Sequence, residues 1–177
     1  MKRVSQLLCA LCLLATGSTW AQGTDIQPAD SATDLQPVSF AQWDTVLQEQ
    51  HGHITVVDFW ASWCSPCIER FPHMVEMHHK YKDRGVRFIS LNFDEQGDTE
   101  SIDWANDFLK RIRAVFPNYH MDENMTAAFE RLDLLGLPAV RIYDTDGTEA
   151  QRLSGDNPYT QFTEQDVEDA VTLLLEH

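Results

Sequence analysis

The run Ile54-Thr55-Val56-Val57-Asp58-Phe59-Trp60 is followed, after Ala61, Ser62 and Trp63, by Cys64-Ser65-Pro66-Cys67. No other stretch constrains the chain as much. A nearly continuous run of β-branched and aromatic residues predicts a strand buried on both faces of a sheet. Such a strand needs helices on either side, which points to an α/β domain. The cysteine pair begins where the strand ends and a helix, predicted from Ser65 to Arg84, begins. Pro66 suits a first helical turn, where its missing N–H costs nothing. Cys64 then lies at the helix N-terminus, where free amides and the positive dipole end stabilise a thiolate. Cys67, one turn further in, is shielded and can resolve a mixed disulfide by attacking Cys64.

Two cysteines at this spacing also occur in zinc sites, which normally take four ligands. The histidines at 51, 53, 73, 78, 79 and 120 form no obvious second pair. His78 and His79 are adjacent, so on a helix they point in different directions, and the expectation is that both are solvated rather than ligands. No metal or cofactor is expected. A structural disulfide is a poor explanation too, because bridging two intervening residues closes almost no loop.

The N-terminus reads Met1-Lys2-Arg3, a mainly apolar run from Val4 to Ala15, then small and polar residues to Thr19-Trp20-Ala21-Gln22. This is the pattern of a secretory signal peptide over residues 1–21, cleaved after Ala21. The apolar run is short for a membrane span of roughly 20 residues, so a retained anchor is the alternative. Cleavage removes Cys9 and Cys12 and leaves Cys64 and Cys67 alone of the 4 cysteines. Exported cysteine pairs usually become disulfides. Loss of Lys2 and Arg3 also takes the net charge from −15 to −17. A surface this acidic repels nucleic acid and anionic headgroups.

Residues 22–37 are polar, with prolines and no apolar period, and read as a flexible linker. The domain is expected over 38–177. Apolar residues at 40, 43, 46 and 47 predict a short helix behind Ser39 as N-cap. After the central strand, the predicted helix is interrupted at Pro72 and ended by Gly85. Val86–Phe93 reads as a second central strand. Residues 101–115 form an amphipathic helix, 118–121 a short strand and 124–132 another helix. Residues 139–143 and 149–153 flank Asp146-Gly147 as a β-hairpin, and 165–175 close the chain as a helix.

The segment Val56 to Cys67 resembles, nearly residue for residue, the active-site segment of the thioredoxin superfamily. Pro72 matches that family's kink proline. Gly136-Leu137-Pro138-Ala139 resembles its cis-proline loop, and Gly155 stands where the family has a glycine beside the site. The longer interval between Cys67 and Pro138, Phe-Trp-Ala-Ser-Trp-Cys and the export signal look like the TlpA/ResA-like branch. Two features depart from that branch, a helix at 39–50 in place of an initial β-hairpin and Asp58 in place of asparagine.

The resemblance implies a thioredoxin fold, a central mixed sheet flanked by helices, with an extra helix inserted after the second central strand. It also implies roles. Asp58 would lie beneath the disulfide, and burial without a positive partner would raise its carboxyl pKa, so that it could accept the proton of Cys67. A cis Leu137-Pro138 bond would present the Leu137 backbone to a substrate segment. Trp63, Ser65 and Pro66 would border the reactive thiol, with Trp60 mostly core. Glu95 resembles an acid that tunes the thiols.

The activity implied is thiol–disulfide exchange with protein substrates in the periplasm or another exported location. Reduction is the favoured direction. It would require a membrane thiol electron donor, and apocytochrome c is among the substrates suggested by analogy. The alternatives are a disulfide oxidase or isomerase using the same cysteines, a non-catalytic binding scaffold and, more remotely, a peroxidase.

Overall fold

The structure is a computed structural model in which residues 33–156, 159 and 161–176 are described. The expected signal peptide, with Cys9 and Cys12, and the linker up to residue 32 lie outside the described residues. Six strands form one sheet in the order β1-β4-β3-β2-β5-β6. They are β1 (Gln36–Val38), β2 (Ile54–Trp60), β3 (Val86–Asn92), β4 (Asn118–Met121), β5 (Ala139–Tyr143) and β6 (Glu149–Ser154). Strands β1 to β4 are mutually parallel where they pair, whereas β5 runs antiparallel to β2 and β6 antiparallel to β5. The sheet is therefore mixed.

Five α-helices cover it: α1 (Phe40–Gln48), α2 (Ser65–Tyr81), α3 (Thr99–Ile112), α4 (Met125–Arg131) and α5 (Glu164–Leu175). Strand β2 is buried at every position, as its unbroken apolar run demands. Successive side chains of a strand face opposite ways, so β2 feeds two cores. Val56 and Trp60 join Cys67, Phe71 and Met74 of α2, Phe108 and Leu109 of α3, and Val167 and Val171 of α5. Val57 and Phe59 join Trp43 of α1 and Ala128 of α4 on the other face. Helix α3, inserted between β3 and β4, therefore thickens the core on the α2 side.

Two boundaries differ from the sequence reading. The last residues assigned to the linker form β1, which pairs with β4 from Gln36↔Tyr119 to Val38↔Met121. Only Val38 of its three residues is buried, so the strand carries no alternation to read, and its proline fits an edge strand. Helix α2 runs unbroken through Pro72. Its buried neighbours Phe71, Met74 and Val75 hold it on the sheet across the missing N–H bond. A short 3₁₀ turn over Lys82–Arg84 follows, and Gly85 closes it at φ 83°, a left-handed conformation that suits glycine. His78 is buried against Phe88 and Phe116, contrary to the expectation of a solvated ring. The 3.6-residue period puts it on the same stripe as Met74 and Val75.

Phe71 has no solvent exposure and packs on Trp60, Phe108 and Phe116. Phe71→Ala should destabilise the domain by about 3–5 kcal/mol in urea unfolding. A loss below about 1 kcal/mol would contradict the α2–α3 packing described here.

Candidate active site around the Cys64–Cys67 disulfide

The site is assembled at one edge of the sheet by strand direction. Strand β2 ends at Trp60 beside Asn92, the end of its parallel neighbour β3. Because β5 is antiparallel to β2, its beginning returns to the same edge, with Ala139 opposite Phe59. Strand β6 then ends there, with Ser154 opposite Ala139. The turn after β2, the loop after β3, the loop before β5 and the residue after β6 thus converge. This is the carboxyl edge of the parallel strands, where open α/β sheets carry their sites.

Cys64 and Cys67 are joined in a disulfide with an S–S distance of 1.99 Å. Cys64 is the N-cap of α2, and its carbonyl accepts the amides of Cys67 at 3.0 Å and Ile68 at 3.1 Å. Cys64 is 5% exposed, Cys67 is fully buried, and Trp63 beside them is 56% exposed. Ser65 and Pro66 are exposed as well. Trp60 is fully buried against Phe71 and Phe108 and belongs to the core.

The Leu137–Pro138 peptide bond is cis. Leu137 is half-buried and packs against both cores, and Pro138 is buried. Gly155 donates its amide to Pro138 O at 2.8 Å. A Cβ at position 155 would stand 2.8 Å from Pro138 Cδ, so the close approach requires glycine. The loop is held from behind by Arg141 of β5, a buried arginine whose guanidinium donates to the carbonyls of Leu132 and, at 3.2 Å, Asp133.

Asp58 is fully buried on β2, but it has a positive partner. Arg70 of α2, itself 4% exposed, donates from Nη2 to Asp58 Oδ1 at 2.5 Å. The expectation of a lone buried acid is therefore corrected. Its direction survives, because burial pushes the Asp58 carboxyl up by more than the Arg70 charge and hydrogen bond pull it down. Arg70 stands three residues after Cys67, on the same face of the helix. The ion pair thus occupies the layer between β2 and α2 one turn below the disulfide.

Glu95 is exposed on the loop after β3. The acid that reaches the active-site turn is its neighbour Asp94, 2% exposed. Asp94 Oδ1 accepts the Ser62 amide at 2.9 Å and the Ser62 hydroxyl at 2.8 Å, and Oδ2 accepts Asn92 Nδ2 at 2.9 Å. His120 binds the Asp94 carbonyl at 3.0 Å. Losing a carboxylate that accepts several buried donors costs about 1–3 kcal/mol for each group stranded, so Asp94 fixes the turn that carries Trp63 and Cys64. Neither Asp94 nor Arg70 was singled out by sequence reasoning. The usable signals were a charged residue on the buried stripe of α2 and an acid directly following a buried strand.

Among the described residues no group of histidines, cysteines and acids is arranged to hold a metal ion. No helix among them is long and apolar enough to cross a membrane.

Comparison with known proteins gives a consistent picture. The thioredoxin family profile matches residues 34–104. The thiol-disulfide oxidoreductase ResA of Bacillus thuringiensis subsp. konkukian is 29% identical over 118 residues, covering 67% of this chain and 64% of the relative. A ResA of Bacillus cereus is 30% identical over 115 residues, covering 65% of this chain and 62% of the relative. The chain thus spans a little under two thirds of these curated relatives. Among solved structures, a thiol:disulfide interchange protein of the DsbE kind from Chlorobium tepidum is 28% identical. It covers 73% of this chain and 84% of its own, with a TM-score of 0.59. A thiol-disulfide isomerase from Corynebacterium glutamicum shares the fold, with a TM-score of 0.60 at 18% identity over 73% of this chain and 85% of its own.

The ion pair makes stability depend on pH. Folded Asp58 holds its proton more tightly than the unfolded chain does, so its contribution is complete below the ordinary aspartate range and is lost as pH rises through the folded value. Replacing a buried pair by neutral side chains is often neutral or stabilising. The double variant Asp58→Asn/Arg70→Met should therefore gain stability relative to wild type as pH rises from about 4 to about 8 in urea unfolding of the oxidised protein. A difference that is flat across this range would contradict the direction assigned to Asp58. Fold, disulfide placement and relatives agree: the chain has a thioredoxin fold, matches the thioredoxin family over residues 34–104 and is similar to the ResA thiol-disulfide oxidoreductases.

Proposed function

We propose that the protein is an exported thiol–disulfide oxidoreductase that reduces disulfides in protein substrates. The observation that carries this reading is the Cys64–Cys67 disulfide at the N-terminus of α2, closed across two residues and bordered by exposed Trp63, Ser65 and Pro66. The relatives named thiol-disulfide oxidoreductase ResA support the same chemistry.

In the reduced protein the Cys64 thiolate, favoured by the helix N-terminus, attacks a substrate disulfide. One substrate sulfur leaves as a thiolate, and Cys64 is held in a mixed disulfide. Cys67 then gives its proton to Asp58 and attacks Cys64 Sγ. The second substrate sulfur departs as a thiolate, the protein is left oxidised, and two electrons have passed to the substrate. The Leu137 backbone ahead of the buried Pro138, with Trp63, Ser65 and Pro66, forms the surface against which the extended substrate segment lies.

Export rests on the basic start, the short apolar run and Ala21 of the leader pattern. In a periplasm kept oxidising, a reductant must be re-reduced by a membrane thiol donor. Apocytochrome c, whose haem-attachment cysteines must be thiols, is a suitable substrate.

Cys67→Ser cannot complete the second step and should accumulate a mixed disulfide with insulin through Cys64, seen by mass spectrometry as an adduct released by dithiothreitol. Cys64→Ser should trap nothing, and its turnover should fall to background. Equal trapping by both variants, or by neither, would overturn the assignment.

A further inference from the structure

We infer that Arg70 is a positioning residue for the resolving step: its guanidinium, bound to one oxygen of Asp58, favours the carboxylate form against the effect of burial and leaves the other oxygen open, and so sets the pH above which Cys67 can give up its proton. This rests on the reading of Asp58 as the acceptor of that proton.

The geometry is one-sided. Arg70 Nη2 takes Asp58 Oδ1 at 2.5 Å, while Asp58 Oδ2 and Arg70 Nε, both buried, have no hydrogen-bond partner among the described residues. Arginine–carboxylate pairs are frequently bidentate, with the two-pronged fork satisfying both oxygens. Here one oxygen stays open to take a proton. The guanidinium is kept in place from the other side by Phe162, whose ring centroid lies 4.5 Å from Cζ.

Among the described residues, Arg70 is the charge that acts on Asp58. Asp58 pairs with Ser90 on β3 and Val140 on β5. Ser90 itself donates to Asn118 of β4 at 2.7 Å. Helix α5 contributes Val167 and Val171 to the same core and turns Glu168 to Lys80 and Tyr81. Further along α2, His78 packs on Phe88 and Phe116. Helix α3 contributes Ala105, Phe108 and Leu109. On β5, Arg141 pairs in register with Val57 and lies over the Phe59 ring, on the opposite face. Among the described residues the charge paired with Asp58 is Arg70, and Cys67 stands one turn before Arg70 on the buried face of α2.

A buried carboxylate without a nearby cation takes a proton at neutral pH and is then no base. Arg70 therefore carries a kinetic consequence distinct from stability. In single turnover, the reduced protein is mixed with excess oxidised glutathione. Cys64 attacks, one glutathione thiolate leaves, Cys67 resolves, and the second glutathione leaves. At high glutathione disulfide the rate reaches a plateau that reports the resolving step alone.

In the wild type this plateau rate should fall on the acid side as Asp58 is protonated. Asp58→Asn should abolish the limb set by the carboxylate, leaving the rate to follow loss of the Cys67 thiol proton to solvent. Arg70→Met, or Arg70→Gln should Arg70→Met not fold, should move the acid limb upward by about one pH unit or more, roughly a tenfold loss of rate at a fixed pH below the limb. Arg70→Lys, which keeps the charge, should return it towards wild type. An acid limb unmoved in both neutral Arg70 variants, with Asp58→Asn still abolishing it, would overturn the role of Arg70 and leave that of Asp58 intact. A wild-type limb in Asp58→Asn would overturn the reading of Asp58 and the inference with it.

Discussion

Burial of β2 on both faces is the constraint from which the rest of the architecture follows. The strand is paired along its length with β3, from Ile54↔Val86 to Trp60↔Asn92, and with β5 from Thr55↔Tyr143 to Phe59↔Ala139. A slip of one residue would exchange the two faces, driving Asp58 into the core of α1 and α4 and Phe59 towards α2. The apolar run therefore fixes both the depth of the strand and the side on which its one acid emerges. It also fixes where the chain leaves the sheet, and four residues after Trp60 the first turn of α2 carries Cys64. The pairing of β5 and β6 brings Pro138 and Gly155 to the same edge.

The polar groups inside the domain are concentrated around this edge. Asp58 with Arg70, Asp94 with Ser62 and Asn92, and Arg141 with the carbonyls before the cis-proline loop are all buried. Buried polar networks are costly when incomplete and specify a unique geometry when satisfied. Asp94 performs this specifying task for the turn before Cys64, while Arg141 holds the segment before Leu137 through Nη2 and leaves its Nε without a hydrogen-bond partner among the described residues. The Asp58–Arg70 pair differs because it leaves an oxygen open. Local departures from good packing chemistry tend to mark functional sites, and this one stands one helical turn from Cys67.

Much of this could be read from the residues. The two-sided apolar run announced β2, the strand–CxxC–helix junction placed the thiols, and the Asp146-Gly147 turn announced the β5–β6 hairpin. Three features were hidden for identifiable reasons. Strand β1 is three residues long with one buried side chain, too little to show a period of two. The partner of Asp58 comes from twelve residues along the chain and from a different element, and no periodicity links a strand position to a helix position. Asp94 and Glu95 are adjacent acids, and only the way the chain leaves β3 decides which turns inward. His78 was expected in solvent from its residue type, whereas its place on the Met74 and Val75 stripe of α2 buries it.

A protein that reduces disulfides must cycle its Cys64/Cys67 pair at a low reduction potential. The most direct test is its reduction potential, measured by equilibrating the protein with dithiothreitol or glutathione buffers. A single two-electron couple near about −270 mV, the thioredoxin level, is the expected result. A couple near about −120 mV, the level of a strong disulfide oxidant, or no reversible couple at all, would contradict it.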